Sequence, residues 1–223
     1  MNVSEARDLE RGGYRRPRSI VEHLEQGGLL IHPTETVYGV GGLLHGPATQ
    51  QLRKLKEREE GGFVVLIPDE TWIQDLLSPT ATALVDAFWP GPLTMVIDDP
   101  QDRFPALVKA RDGSVAVRVC GDPLIQRLLD TLGEPMTSTS ANRPGDTPAT
   151  SYDEAVAFAE FAASPEGVDK STASLDGGTL PGGQPSTLVD VRDDAITVLR
   201  QGQVTGEQIA RAIGQQPVPE GLI

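Results

Sequence analysis

The sequence predicts an α/β domain in which helices flank a twisted, mixed β-sheet. Three observations carry that expectation. Segments with apolar residues at helical spacing alternate with short apolar runs along most of the chain. The run Phe63-Val64-Val65-Leu66-Ile67 is continuously apolar, as a strand covered on both faces requires. Near the end, residues 186–191 and 196–199 read as two strands joined by Arg192-Asp193-Asp194, a hairpin among the alternating elements. At 223 residues the chain fits one such domain, large enough to bury about 70% of the surface its unfolded form exposes.

Taken in order, residues 1–16 mix acids, four arginines and Gly12-Gly13, and read as a poorly ordered arm. Residues 18–26 carry Ile20, Val21 and Leu24 at helical spacing between Pro17 and Gly27-Gly28. The next stretch, 29–42, is the richest in chemistry. It opens as an apolar strand, passes through Pro33, and presents Thr34, Glu35, Thr36 and Tyr38 before Gly39, Gly41 and Gly42. Such glycines let the backbone approach a ligand closely. Residues 47–57 follow as a helix with Leu52 and Leu55 on one side and Arg53, Lys54 and Lys56 around the rest, with Arg58 just beyond.

Helical patterns cover 70–77 and 80–89, with Trp89 read as core packing, and Pro90-Gly91-Pro92 then turns the chain into a strand over 93–97. Residues 98–112 are polar turn sequence. In the strand over 114–120, alternation puts Ser114, Ala116 and Arg118 on one face. An arginine there needs an anionic partner, because burying it unpaired costs several kcal/mol. A structural carboxylate and a bound ligand satisfy that need equally. Residues 123–132 form a helix ended by Gly133, and a strand starts near Pro135. It leads into Ser138-Thr139-Ser140-Ala141-Asn142, whose hydroxyls and amides suit phosphate oxygens or a bare Ser/Thr turn. A helix over 152–163 precedes 164–184, the least structured reading, where Gly177-Gly178 and Gly182-Gly183 suggest a flap. A last helix, 205–212, precedes a tail over 214–223.

Charge excludes some functions. The net charge of −13, from 32 acidic and 19 basic residues, sets a long-range field that repels nucleic acid and anionic membranes. A small polyanion such as ATP still binds where a few cations gather locally. The single cysteine, Cys120, forms no internal disulfide and reads as a buried thiol. Residues 1–20 lack the apolar core of a signal peptide, and no window nears the ~20 apolar residues of a membrane helix, so a cytoplasmic protein is expected.

Six segments in order then carry a resemblance. Pro33-Thr34-Glu35-Thr36-Val37-Tyr38-Gly39, Lys56-Glu57-Arg58, Trp89-Pro90-Gly91-Pro92-Leu93-Thr94, Val115-Ala116-Val117-Arg118, Ser138-Thr139-Ser140-Ala141-Asn142 and Pro185-Ser186-Thr187-Leu188-Val189-Asp190 with Leu199-Arg200 resemble the motifs of the YrdC-like threonylcarbamoyl-AMP synthases. The likeness spans residues 17–213, the expected domain. It implies an open sheet with a concave, positively charged cleft, into which the motifs converge. It also implies a nucleotidyltransferase that joins L-threonine, bicarbonate or CO2 and ATP, with Mg2+, into threonylcarbamoyl-AMP and pyrophosphate. The adenylate would pass to a downstream tRNA threonylcarbamoyl-transferase complex.

Residue by residue, the resemblance implies threonine recognition by Thr34, Arg118, Ser138 and Ser186. It implies ATP recognition by Lys56, Arg58, Ser114, Ser140, Asn142 and Arg200, with Lys56 and Arg58 as the catalytic cations. One segment departs from the pattern. Glu59-Glu60-Gly61-Gly62 replaces a proline-containing continuation and loses the polar contact expected at Gly62. That departure keeps open a second reading, a non-catalytic YciO-like relative that binds a nucleotide or RNA. A carbamoyl-transfer module of the type found in larger carbamoyltransferases is a third, and the zinc-finger-like cysteine clusters of those proteins have no counterpart in a chain with one cysteine.

Overall fold

In a computed structural model, the structure describes residues 7–8, 20–58, 61–162, 172–192 and 196–214. The arm over 1–16, apart from two residues, the Glu59-Glu60 pair and the tail beyond 214 therefore lie outside the described residues. The strands are β1 (Arg7–Asp8), β2 (Leu29–His32), β3 (Gly39–Gly41), β4 (Val64–Leu66), β5 (Leu93–Ile97), β6 (Val115–Arg118), β7 (Met136–Ser140), β8 (Thr172–Ser174), β9 (Thr187–Asp190) and β10 (Thr197–Arg200). The helices are α1 (Ile20–Glu25), α2 (Ala48–Leu55), α3 (Pro79–Phe88), α4 (Pro123–Leu132), α5 (Tyr152–Ala162) and α6 (Gly206–Ala212).

All ten strands join one mixed sheet in the order β1, β8, β2, β3, β7, β4, β6, β5, β9, β10. Pairs β2/β8, β4/β6 and β5/β9 are parallel. The hairpin read near the end is β9/β10, which is antiparallel. The α/β class with a mixed sheet and flanking helices is therefore the observed one. Helix ends follow local chemistry. Ser78 accepts from the Ala81 amide ahead of Pro79, Asp122 accepts from the Leu124 and Ile125 amides, and Gly133 ends α4 in the left-handed region at φ 65°. Thr205 and Gln208 close a reciprocal capping box on α6.

Three apolar clusters hold the sheet. Leu29 and Ile31 of β2 pack with α2, α5, Tyr38 and Phe63, whereas Leu30 packs with α1, α4 and Met136. Alternate residues of one strand thus enter cores on opposite faces, which explains its unbroken apolar sequence. The third cluster joins α3 and α6 to Met95, Val117, Val189 and Val198. Cys120 is fully buried in the α4 cluster, and burial pushes its thiol up to about 12. Trp89 packs half-buried on the third cluster and donates its indole N–H to the Leu93 carbonyl at 2.7 Å.

Two expectations are corrected. Residues 70–77 form two 3-10 turns, Glu70–Trp72 and Gln74–Leu76, instead of a helix, because Ile73 leaves helical geometry at φ −133°. The segment read as least structured contains β8, buried in the sheet between β1 and β2. Its residues Thr172, Ala173 and Ser174 are small, and the Tyr152 hydroxyl of α5 lies 3.0 Å from Ser174 Oγ. Small side chains fit under α5 but give no apolar signal.

Candidate active site

One face of the sheet floors a cleft of about 580 Å3, within the ~300–1,000 Å3 range of small-molecule sites. Its floor comes from Ser114, Ala116 and Arg118 of the β6 segment, Val64 and Leu66 of β4, and Ser138 and Ser140 of β7. The alternation expected for 114–118 is thus the observed one. Of the expected site residues, Thr34, Arg58, Ser114, Arg118, Ser138, Ser140, Ser186 and Arg200 line this cleft.

Lys56 and Asn142 do not line it. Lys56 Nζ donates to the carbonyls of Ser140 at 3.2 Å and Asn142 at 2.7 Å, and to Asn142 Oδ1 at 2.8 Å. It is buried behind the turn after β7 and braces that turn. Burial first, and then the charge of Arg58, lowers its pKa to about 8. Ser140 Oγ donates to the same Asn142 oxygen at 2.6 Å, so the three groups form one unit.

Arg118 has the structural carboxylate its sequence called for, and it also reaches the cleft. Its Nη2 donates to Glu35 Oε2 and its Nε to the Gly91 carbonyl at 2.9 Å, yet the side chain still lines the cleft. Only the Nη1 side makes no hydrogen bond among the described residues. Glu35 also accepts from the Gly121 amide at 2.5 Å. Burial pushes the Glu35 carboxyl up, but Arg118 and the amides of Glu35 and Gly121 together hold it below its usual value.

Arg200 reaches the cleft through an irregularity. Val198 pairs with Val189 in the core, but the register then shifts so that Arg200, not Leu199, pairs with Leu188. A strict period of two would turn Arg200 to the core face beside Val198; the bulge turns it to the cleft beside Leu188. It donates to the Ser186 carbonyl at 2.9 Å. Partial desolvation, then repulsion from Arg118 and Arg58, lowers its pKa. Among the described residues, neither Arg58 nor Arg200 pairs with a carboxylate. Arg58 lies over the Phe63 ring at 5.7 Å. Gly62, also in the lining, brings no side chain to the cleft.

The glycines of the 39–42 stretch serve mainly the strands. A Cβ on Gly41 would sit 1.7 Å from the Thr137 carbonyl oxygen, so β3 and β7 touch at their backbones. Only Gly39 of these borders the cleft. The chain beyond β8 contributes Gly183 and Pro185 to the lining. It is tied down: Tyr38 Oη donates to the Gly178 carbonyl at 2.8 Å and accepts from the Gly177 amide at 2.9 Å, and Gly182 N–H donates to the Thr36 carbonyl at 2.9 Å.

A model of the Sua5/YciO/YrdC family, described as "telomere recombination", matches residues 22–202. The chain belongs to the Sua5/YciO/YrdC family. Within it, the chain is 34% identical over 190 residues to the threonylcarbamoyl-AMP synthase of Vibrio parahaemolyticus, covering 82% of this chain and 97% of that protein. Its fold is similar to P. abyssi Sua5 complexed with L-threonine, at 26% identity and a TM-score of 0.78, covering 88% of this chain and 56% of that one. It is also similar to E. coli YciO, at 26% identity and a TM-score of 0.68, covering 82% and 87%. This chain thus spans little more than half of the P. abyssi protein.

Four groups of this Sua5/YciO/YrdC member escape sequence reasoning as site residues: Asp112 and Arg192 line the cleft, whereas Glu35 and His32 stand behind it against Arg118 and Ser138. Glu35 and His32 flank Pro33-Thr34, and their partners, Arg118 and Ser138, are distant in sequence. Asp112 and Arg192 form the others, in an ion pair of 2.6 Å. Asp112 also accepts from Ser114 Oγ at 2.6 Å, and these hydrogen bonds lower its pKa to about 2. The one available signal was the unpaired arginine of an apolar strand, which called for a carboxylate. No helix among the described residues is long and apolar enough to cross a membrane.

Proposed function

We propose that the chain is an L-threonylcarbamoyladenylate synthase. The observation that carries the reading is the convergence of Arg58, Arg118 and Arg200 on a cleft whose floor is lined by hydroxyls. Family membership and a relative of that name support it. The amine of L-threonine attacks CO2, supplied as such or from bicarbonate, and loses a proton to give a carbamate. A carbamate oxygen then attacks the α-phosphorus of ATP; that P–O bond forms as the bond to the β-phosphate bridge breaks, and pyrophosphate leaves. No protein nucleophile is required, so alignment of two anions and neutralisation of phosphate charge are the enzyme's work.

Arg118 offers its Nη1 side to the threonine carboxylate, with Thr34, Ser138 and Ser186 around the amine and hydroxyl. Arg58 and Arg200 receive the phosphates at the rim, near Ser114 and Ser140, whose hydroxyls must turn from Asp112 and Asn142 to donate to them. Lys56 and Asn142 act from behind, by holding the Ser140 turn. Mg2+ enters with ATP, coordinated mainly by its phosphates. The adenylate is consumed by a tRNA-modifying transferase complex, with which this acidic chain shares a product and no nucleic-acid contact of its own.

The absent side chain at Gly62 favours a second reading, a YciO-like relative that binds nucleotide without turnover. Pyrophosphate release with MgATP, omitting threonine and bicarbonate in turn, separates the two. Release that requires both, with threonylcarbamoyl-AMP detected by mass spectrometry, is the expected result. Nucleotide binding without threonine-dependent release overturns the synthase reading.

A further inference from the structure

His32 is a fully buried titratable side chain to which the proposed chemistry gives no role. It ends β2, paired in register with Gly39, and its two ring nitrogens have different partners. Nδ1 lies 3.0 Å from the Pro33 carbonyl oxygen, which can only accept, so Nδ1 carries a hydrogen. Nε2 lies 3.2 Å from Ser138 Oγ. Burial chiefly, with a smaller contribution from the charge of Arg118, lowers the pKa of the ring to about 4, so the ring is neutral at physiological pH. A neutral ring protonated at Nδ1 leaves Nε2 with a lone pair and no hydrogen. The Ser138 hydroxyl therefore donates to it.

The packing leaves this pair little freedom. A Cβ on Gly39 would fall 2.6 Å from His32 Cε1, 2.8 Å from Nε2 and 3.0 Å from Ser138 Oγ. Imidazole and hydroxyl thus occupy the space over Gly39 together. With its single hydrogen turned to Nε2, Ser138 Oγ presents only lone pairs to the cleft it lines.

We propose that His32 is a positioning residue that fixes Ser138 Oγ as a hydrogen-bond acceptor, so that this part of the cleft takes the N–H or O–H of an amino-acid substrate and disfavours a carboxylate or phosphate oxygen. The inference rests on the synthase reading and sharpens it. An unconstrained serine hydroxyl would donate as readily as accept. Donation to the substrate amine would occupy the nitrogen lone pair that must attack CO2. An acceptor holds the same amine through its N–H and leaves that lone pair available. It also turns the substrate carboxylate away from Ser138, towards Arg118.

Two measurements on the full chain test this. In 15N-histidine NMR, with His32 assigned by its absence from His32→Leu, the ring should appear as the neutral Nδ1–H tautomer throughout the neutral pH range. An Nε2–H tautomer, or a titration near the ordinary histidine value, overturns the inference without reference to activity. In calorimetry, His32→Leu should weaken L-threonine about tenfold, as loss of one oriented hydrogen bond does, with ATP affinity unchanged. Ser138→Ala should match it, and the double variant should be no weaker than either. His32→Gln, which keeps an acceptor near Nε2, should recover most of the affinity. Equal losses for threonine and ATP, with no recovery by glutamine, mean a merely structural role and overturn the inference. Unchanged threonine binding in His32→Leu overturns it alone, whereas a natural chain that binds no L-threonine overturns it together with the proposed function.

Discussion

Replacing Glu35 with glutamine isolates the ion pair in the floor of the cleft. The Arg118 side chain is 6% exposed and that of Glu35 20%. Removing one partner of a fully buried pair costs about 3–5 kcal/mol, because the other charge is left uncompensated. Glu35 keeps part of its side chain in contact with solvent, which takes up part of the loss, so a cost of about 2 kcal/mol is expected. Glutamine retains an acceptor for the Gly121 amide, so what is removed is the carboxylate charge and the acceptor that faces Arg118 Nη2. For a chain of this size 2 kcal/mol corresponds to a fall in Tm of roughly 4–8 °C at neutral pH. The pH dependence gives a second reading of the same pair. The folded pKa of Glu35 lies below its ordinary 4.5, so its contribution is complete above that value and is lost as the pH falls through the folded one. Thermal melts of the natural chain and of Glu35→Gln should therefore differ fully at neutral pH and converge in acid. Equal Tm at neutral pH, or a gap that does not narrow as the solution is acidified, would refute the reasoning.

Arg118→Lys cannot reproduce the guanidinium that serves Gly91, Glu35 and the cleft together, so L-threonine should bind at least roughly tenfold more weakly by calorimetry. Unchanged affinity would remove Arg118 from the threonine site. Lys56 is charged at a buried position, with its pKa lowered from 10.5 to about 8. The unfolded chain binds the extra proton between those values, so stability in urea should rise with pH across that window in the natural chain and not in Lys56→Met. Parallel pH profiles for the two would show that the lysine is unperturbed. Gly41→Ala places a methyl against an immovable backbone oxygen of β7 and should cost more than about 3 kcal/mol, read as loss of soluble, cooperatively unfolding protein. A variant that melts like the natural chain would mean that β3 and β7 are not in this contact.

The motifs were legible because most are contiguous and lie in a strand or turn that a single segment defines. Ser114, Ala116 and Arg118 shared a face by period alone, and they do share it. What sequence could not give is what depends on register between strands. Arg200 points into the cleft only because of the shift between Val198 and Arg200, which no local pattern announces. Glu35 and Arg118 are 83 residues apart and meet through the arrangement of the central strands. Lys56 stands in the right motif but faces carbonyls behind the cleft, since α2 ends one residue before it and delivers its side chain to the β7 turn. Strand β8 was missed for a different reason. A buried position under a helix can demand small residues, and Thr172-Ala173-Ser174, with one β-branched residue and no large apolar one, carries too little of a strand's signature to be read.

The charges of the cleft are graded in a way that bears on what enters it. At the floor, Arg118 is matched by Glu35, so the local charge is near zero while one guanidinium edge and several hydroxyls remain available. Such a surface suits a zwitterion, whose carboxylate and amine need opposite polarity a few ångströms apart. At the rim, Arg192 is neutralised by Asp112 and Asp190, but Arg58 and Arg200 have no carboxylate partner among the described residues. The Arg200 guanidinium is destabilised by its like-charged neighbours, and an arriving polyanion relieves that repulsion. The outer surface of the chain, at −13 overall, works against any long polyanion. A nucleotide is small enough to be governed by the rim instead, because screening confines the opposing field to about a Debye length, ~8 Å at physiological salt. On the proposed function, the gradient from a neutral floor to a cationic rim would order the two substrates along one cleft, the zwitterionic amino acid inside and the phosphates outside.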